Sequence, residues 1–427
     1  MTGSAQDYSD DDPVVVQYEN WAYPAAVADL TDPAIADYLA TFQTLRNLSP
    51  AYWPSGQQRQ DLDILVAGCG TLAAACYAYL YPHCRVVGID ISRTSLAHEQ
   101  RLKEHHRLAN LRLHHCPVER AGSLGLAFDY ISSHGVLHHL PDPAAGLKAL
   151  GSVLRPDGVI ALMLYGRYGR AQVERLRELF QQMGLGQTAA DLAIVRETLA
   201  GLPDDALTRQ FLRSPDLRSD AGIVDLLLHR RERSYTVADC LTLTEAAGLA
   251  FQRWDQNYFY HPDGPFAAAA PEVRSRLARL PDAELWQAME LAIGMISAHY
   301  FVVCRKDRDP RSYRIPWGSQ TLLECVPLCA AKLARRLAAS GGDEFAMVLQ
   351  SFPPVPLTSA QAAVFSKIDG RRTVGQCLID SGVAIPEQSR LATADEYFRM
   401  LTRTGFGILR IPREGLNRKS EVTRPAD

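Results

Sequence analysis

The chain has 427 residues, 47% of them hydrophobic and 22% charged, with a formal net charge of −3. That is the balance of a folded protein too long for one ordinary core, so two or three domains are expected. The charge gives no global pull toward nucleic acid, and no run approaches the roughly 20 uncharged apolar residues that span a bilayer.

The first 13 residues are acidic and polar, without the basic-then-apolar pattern of a secretory signal, and are expected to lack packed structure. Nine cysteines form no CxxC pair, and several sit in apolar runs, so reduced thiols in a cytoplasmic protein are expected. Residues 14–60 mix short apolar periods with Pro and aromatics (Tyr18, Trp21, Tyr23, Tyr52, Trp53), which suggests a helical extension packed on the next domain.

From 61 to 166 short apolar segments alternate with helical ones, the pattern of a doubly wound, mostly parallel α/β sheet. Strands are expected at Asp63–Ala67, Arg85–Ile89, Leu111–His115, Phe128–Ser132 and Val159–Leu164, nearly continuous in apolar character because both faces are covered. Helices fall at 71–80, 92–107 and 143–154, the last with an Asp142-Pro143 start. Residues 167–233 lose the strand signal and read as helices inserted above the carboxyl edge of the sheet. Helix 236–247 and strands 249–254 and 299–305 then complete a domain of 61–305. A separate segment, 306–427, holds helices at 359–368, 374–380 and 394–402 and a strand at 407–411, a smaller α+β domain.

Chemistry concentrates on the strand ends. Gly68-Cys69-Gly70 closes the first strand; glycine there allows a backbone turn and a close ligand approach, and the amides of the next helix face the ligand. A bare strand-to-helix turn would look the same, and the spacing suits NAD(P) as well as other nucleotides. Asp90 ends the second strand 20 residues beyond Gly70, where an acid can hold a ribose diol; helix capping is the plainer role. The third block is Phe128-Asp-Tyr-Ile-Ser-Ser-His134-Gly-Val-Leu-His-His-Leu-Pro-Asp142-Pro, followed by Leu154-Arg-Pro-Asp-Gly158.

Taken in register over 61–166, these motifs resemble class I S-adenosylmethionine (SAM)-dependent methyltransferases, with a Rossmann-like fold and SAM as the implied cofactor. The resemblance places Gly68, Cys69 and Gly70 at the methionine end of SAM, Asp90 on the ribose, Ile91 on adenine, and Val118 or Glu119 at the adenine edge. Two positions depart from the pattern. His115-Cys116-Pro117 stands where relatives have Gly-Asp, and Leu72 replaces a third glycine, tolerable if its backbone is helical.

His134, directly off the fourth strand, and Tyr165, at the end of the fifth, are the candidate catalytic groups. Tyr165, Arg170 and Tyr23 are candidate substrate contacts, with the Tyr18–Pro24 stretch as an aromatic lid. His138 and His139 are expected to pack or bond locally, and no metal-ligand spacing stands out, including at His105-His106 and His114-His115. The C-terminal segment faintly resembles PqqD-like winged-helix modules; a dimerising (homodimer) or stabilising domain fits its pattern equally. The expected function is methyl transfer to a small-molecule or peptide/protein acceptor, with no membrane or nucleic-acid partner. The rivals are an NAD(P)-binding oxidoreductase and a non-catalytic SAM-sensing or peptide-binding protein.

Overall fold

The computed structural model describes residues 11–412 apart from 58, 268, 338–342, 350 and 351, so the first ten residues of the acidic start lie outside it. The chain divides into two compact units. The first comprises residues 1–45, 59–254 and 286–308; the second comprises 46–58, 255–285 and 309–427.

The first unit is built on seven strands in the order β3-β2-β1-β4-β5-β7-β6. In chain order they are β1 (Asp63–Ala67), β2 (Arg85–Asp90), β3 (Leu111–His115), β4 (Phe128–His134), β5 (Leu154–Tyr165), β6 (Leu249–Trp254) and β7 (Ala298–Arg305). β1 to β5 run parallel, and β7 is antiparallel to both β5 and β6. Its helices include α1 (Pro13–Asn20), α2 (Ala36–Thr41), α4 (Ala73–Leu80), α5 (Arg93–His105), α6 (Pro143–Ser152), α7 (Ala171–Gln182), α8 (Ala189–Ala200), α9 (Asp220–Leu227) and α10 (Val237–Ala246), while α3 (Thr44–Tyr52) spans the boundary at residue 45. β1 and β4 are entirely buried beyond Asp63 and before His134, which is why their sequences read as unbroken apolar runs. The strand order reverses between β1 and β4, and at such a switch point the carboxyl ends open a crevice for ligands.

Two local expectations are corrected. The Pro156-Asp157-Gly158 turn lies inside β5: Phe128 pairs with Leu154 and Tyr130 with Val159, so residues 155–158 bulge out of an otherwise continuous strand. Helix α4 starts at Ala73, and Leu72 is its N-cap with φ −157°, not a helical residue. That extended φ suits any L-residue, so no third glycine is needed there.

The inserted stretch after β5 folds as α7, α8 and α9 around a core of Val173, Leu176, Phe180, Leu192, Val195 and Ile223, on which Trp21 of the N-terminal segment packs. The second unit has strands β8 (Val326–Cys329), β9 (Lys332–Leu337), β10 (Asp343–Leu349), β11 (Phe352–Leu357) and β12 (Gly407–Arg410). Its helices are α11 (Pro271–Ala278), α13 (Ser359–Phe365), α14 (Val374–Asp380) and α15 (Arg390–Arg403), and α12 (Asp282–Ile293) crosses the boundary at residue 285. β9, β10 and β11 form an antiparallel sheet, and β8 pairs antiparallel with β12 over a core centred on Leu322, Val364, Phe398 and Phe406. Among the described residues, no helix is long and apolar enough to cross a membrane.

Candidate functional site

The glycine turn after β1 is a built cradle. Gly68 and Gly70 have φ of +74° and +56°, the left-handed region that L side chains rarely enter. A Cβ on Gly68 would stand 2.4 Å from Val136 Cγ2, and one on Gly70 would stand 2.7 Å from the Tyr23 carbonyl oxygen. The turn is therefore pressed between the loop after β4 and the N-terminal segment. Between them Cys69 is buried, and burial pushes its thiol well above the usual range, so it offers backbone and bulk rather than a nucleophile.

Asp90 stands at the tip of β2 with one oxygen aimed back at this turn and the other at the start of α5. Oδ2 accepts from the Gly70 N–H (2.8 Å) and Oδ1 from the Ser92 N–H (2.9 Å). Each carboxylate oxygen has a second acceptor position, so the group can still receive two hydroxyl donors. Burial raises its pKa, against the lowering effect of the N–H bonds. Ile91 follows, its carbonyl accepting from His115 Nε2 (2.8 Å), and the Cys116 N–H closes on the Asp90 carbonyl (3.0 Å). Val118 is buried and Glu119 half-buried at the start of a 3₁₀ turn, Val118–Leu124, beside the same edge. Turn, acid and apolar edge thus fit a nucleoside that carries an amino-acid tail, the shape of SAM.

One expected contact is taken. The amides of Ala74 and Ala75 at the start of α4 donate to the carboxylate of Glu99, at 2.7 and 2.8 Å. Glu99 comes from α5 and is fully buried; burial pushes it up to about 8. These two amides are therefore not open to an incoming carboxylate, because the buried carboxyl of Glu99 already accepts from both.

Beyond the carboxyl ends of β4 and β5 lies a buried cluster of polar side chains, called the chamber below for the place where an acceptor would have to enter. Tyr165, at the end of β5, lies under the guanidinium of Arg170 (3.6 Å to the ring centroid) and stacks on His138 (4.1 Å between centroids). Arg170 is buried and committed: it and Arg177 bind the buried Glu232 at 2.8 and 3.1 Å. Tyr18 donates to Asp225 Oδ1 (2.9 Å) and lies 3.1 Å from His229 Nε2; Tyr23 donates to Asp216 (2.8 Å). Neither Asp216 nor Asp225 has a cation within ion-pair distance among the described residues.

His134 ends β4 edge-on to Tyr300, its Nε2 buried without a partner, and burial lowers its pKa to about 4. It is a neutral imidazole with an open hydrogen-bonding position. His138 is fully buried with neither nitrogen bonded, and His139 Nδ1 donates to the Arg231 carbonyl (2.9 Å). Burial also holds Tyr165 well above 10, so its phenol stays a donor.

Asp225 is pushed up to about 7, mainly by burial and then by the charge of Glu232. The folded state thus keeps a proton that the unfolded chain releases near the ordinary 3.8. The stability this contributes is complete below that value and is lost as pH rises through about 7. Asp225→Asn should therefore flatten the fall in melting temperature that the wild type shows across this window. Parallel pH profiles for the two proteins would refute the assignment.

His139, Asp225 and His229 each place a donor atom within 4.8 Å of the others. The geometry does not suit a metal. The His139 and His229 rings are stacked 3.8 Å apart at 14°, so their in-plane lone pairs cannot converge on one ion. The Arg231 N–H donates to His229 Nδ1 (3.0 Å), which leaves the proton on Nε2, the atom facing Tyr18. The half-exposed group of Asp29, His105 and His106 is similarly spent, since His106 Nε2 accepts the Leu30 N–H.

Asp216, Asp225, His229 and Glu232 were not singled out in the sequence. The available signal was Asp225 inside the apolar run Ile223-Val-Asp-Leu-Leu-Leu-His229, an acid where the pattern calls for a buried apolar residue.

Comparison with known proteins bears on the domain and its fold. Residues 65–160 match the family model described as a methyltransferase domain. An uncharacterised protein of Synechococcus sp. is 32% identical over 53% of this chain and 56% of its own length. The tRNA 5-carboxymethoxyuridine methyltransferase of Escherichia coli is 33% identical over 26% of this chain and 42% of that protein. The chain thus spans about half the length, or less, of these curated relatives. The structure of PKMT2 from Rickettsia typhi in complex with AdoHcy superimposes with a TM-score of 0.58, at 16% identity, over 88% of this chain and 75% of that one. At that identity the likeness is one of fold.

Proposed function

We propose that this chain, which carries a class I SAM-dependent methyltransferase domain, transfers a methyl group from SAM to an amine of a small-molecule or peptide/protein acceptor in the chamber beyond β4 and β5. The observation that carries the cofactor half is Asp90, whose carboxylate is locked onto the Gly70 amide with acceptor capacity to spare. The charge of the chamber carries the acceptor half. Glu232 pairs directly with both guanidiniums but answers only one of their charges, whereas Asp216 and Asp225 accept tyrosine hydroxyls and have no cation within ion-pair distance among the described residues. A ligand arriving as an ammonium ion would meet the carboxyl groups of Asp216 and Asp225 beside the rings of Tyr18 and Tyr23.

SAM, when bound, supplies a methyl on a positively charged sulfur, already activated for displacement. The protein's part is alignment, which in the best cases is worth roughly 7–11 kcal/mol, and removal of the acceptor's proton. Tyr18 Oη already donates to Asp225 Oδ1, so a proton delivered to Tyr18 passes on to Asp225, which is poised near neutrality. Arg170 holds the Tyr165 ring in place, and His134 presents its free Nε2 to ligand.

Thermal shift with SAM, S-adenosylhomocysteine (SAH), NADH and NADPH tests the cofactor, and transfer of labelled methyl from SAM to polylysine, a catechol and a carboxylic acid tests the acceptor. Stabilisation by SAM and SAH with label in polylysine is expected. A shift with the dinucleotides alone would overturn the cofactor, and label confined to the catechol or the acid would overturn the amine.

A further inference from the structure

The segment from Asp12 to Pro24 touches two different sites with two different parts of itself. Its backbone, with the Glu19 carboxylate, faces the cofactor turn. The Ser92 hydroxyl donates to the Tyr18 carbonyl (3.2 Å) and the Thr71 hydroxyl to the Pro24 carbonyl (2.8 Å). The Tyr23 carbonyl covers Gly70, and Glu19 accepts from the Thr94 hydroxyl (2.6 Å) and from the Arg93 and Thr94 amides at the start of α5. Burial works against the charge on Glu19, but these bonds outweigh it and hold the carboxyl below its usual range.

The side chains of the same segment face the insertion. Tyr18 and Tyr23 bind Asp225 and Asp216; Gln17 accepts from Gln187 (2.7 Å) and from the Arg230 amide (3.1 Å); Asp12 pairs with Arg231 (3.1 Å). The residues that shape the acceptor chamber are thus held in register by a strap whose other face rests on the cofactor turn.

We infer that the strap couples the two sites: cofactor binding seats its backbone and thereby assembles the acceptor chamber through the Tyr18–Asp225 and Tyr23–Asp216 bonds, so that cofactor binds first and acceptor second. This rests on the SAM reading above. Coupling of this kind requires a two-state element that both sites bias, and the strap has discrete bonds to each. The partners of these bonds are 207 and 193 residues apart in the chain, so the strap ties the distant insertion to the glycine turn.

The test is hydrogen exchange of the full chain with and without SAH, in wild type and in a Tyr18→Phe/Tyr23→Phe variant that keeps both rings but removes both bonds. In wild type, SAH should slow exchange at 64–72, 13–24 and 216–232. In the variant, protection at 64–72 should persist and that at 216–232 should fall by a factor within the roughly 5–150-fold range of coupled sites. If the double variant does not fold, Tyr23→Phe alone carries the test, with the loss read at 216–220. Equal protection of the insertion in both proteins, or none in wild type, overturns the coupling while leaving the cofactor reading intact. No protection at 64–72 in wild type overturns both.

Discussion

Replacing Asp90 with alanine should weaken binding of SAM and SAH by roughly two orders of magnitude or more, since two hydrogen bonds to a charged acceptor are lost at about 1.5–3 kcal/mol each. The side chain also fixes the Gly70 and Ser92 amides, so part of the loss will come from a loosened turn. Asp90→Asn separates the two contributions. It keeps the shape and one acceptor oxygen, and should fall between wild type and Asp90→Ala. Calorimetric titration with SAH measures both. An alanine variant that binds like wild type would remove Asp90 from the cofactor site altogether.

A second large effect is expected on stability, away from the cofactor. Glu232 is 1% exposed and is shared by Arg170 and Arg177, themselves 7% and 15% exposed. Glu232→Ala would strand two guanidiniums in a low-dielectric chamber, and breaking a buried pair in this way destabilises by about 3–5 kcal/mol. Glu232→Gln, with one carbonyl left to accept, should lose less. Urea unfolding of the three proteins gives the comparison, and an alanine variant as stable as wild type would mean that water already reaches these charges. Because Arg170 also covers the Tyr165 ring, Glu232→Ala should impair methyl transfer more than it impairs SAH binding.

The cofactor half was legible because its chemistry is local in the chain. Gly68, Gly70 and Asp90 lie at or just beyond the ends of the first two strands, and the loop after β4 announces itself through Leu137-His138-His139-Leu140. Strand and helix text there follows burial on both faces, a strong and periodic signal. The acceptor chamber was not legible for the opposite reason. It is assembled from Tyr18 and Tyr23, from Tyr165, and from Asp216, Asp225 and Glu232 in an insertion whose helices read only as amphipathic. The lid role of Tyr18–Pro24 could be suggested from its aromatics, but the partners of its hydroxyls could not. The strands β8 to β11 also went unseen as strands: three prolines fall in Phe352–Leu357, and the β8 partner, β12, lies about 80 residues away. Arg170 reads in sequence as a surface charge or a substrate contact; in the fold it is already paired with Glu232.

The Glu99 carboxylate on the α4 amides has a consequence for where this protein tolerates change. Helix α5 receives the Glu19 carboxylate of the strap on its first amides and, from its middle turn, sends the Glu99 carboxyl to the first amides of α4, so one helix carries a joint to each. A sliding or rotation of α5 by a single residue would break both joints, even though much of its outer face is exposed and polar. Insertions, deletions or stapling across α5 should therefore be felt at the glycine turn and the strap alike, whereas point changes on its solvent face, at Gln100 or Glu104, should be silent. Helix α5 is thus free in composition on its solvent face and fixed in length.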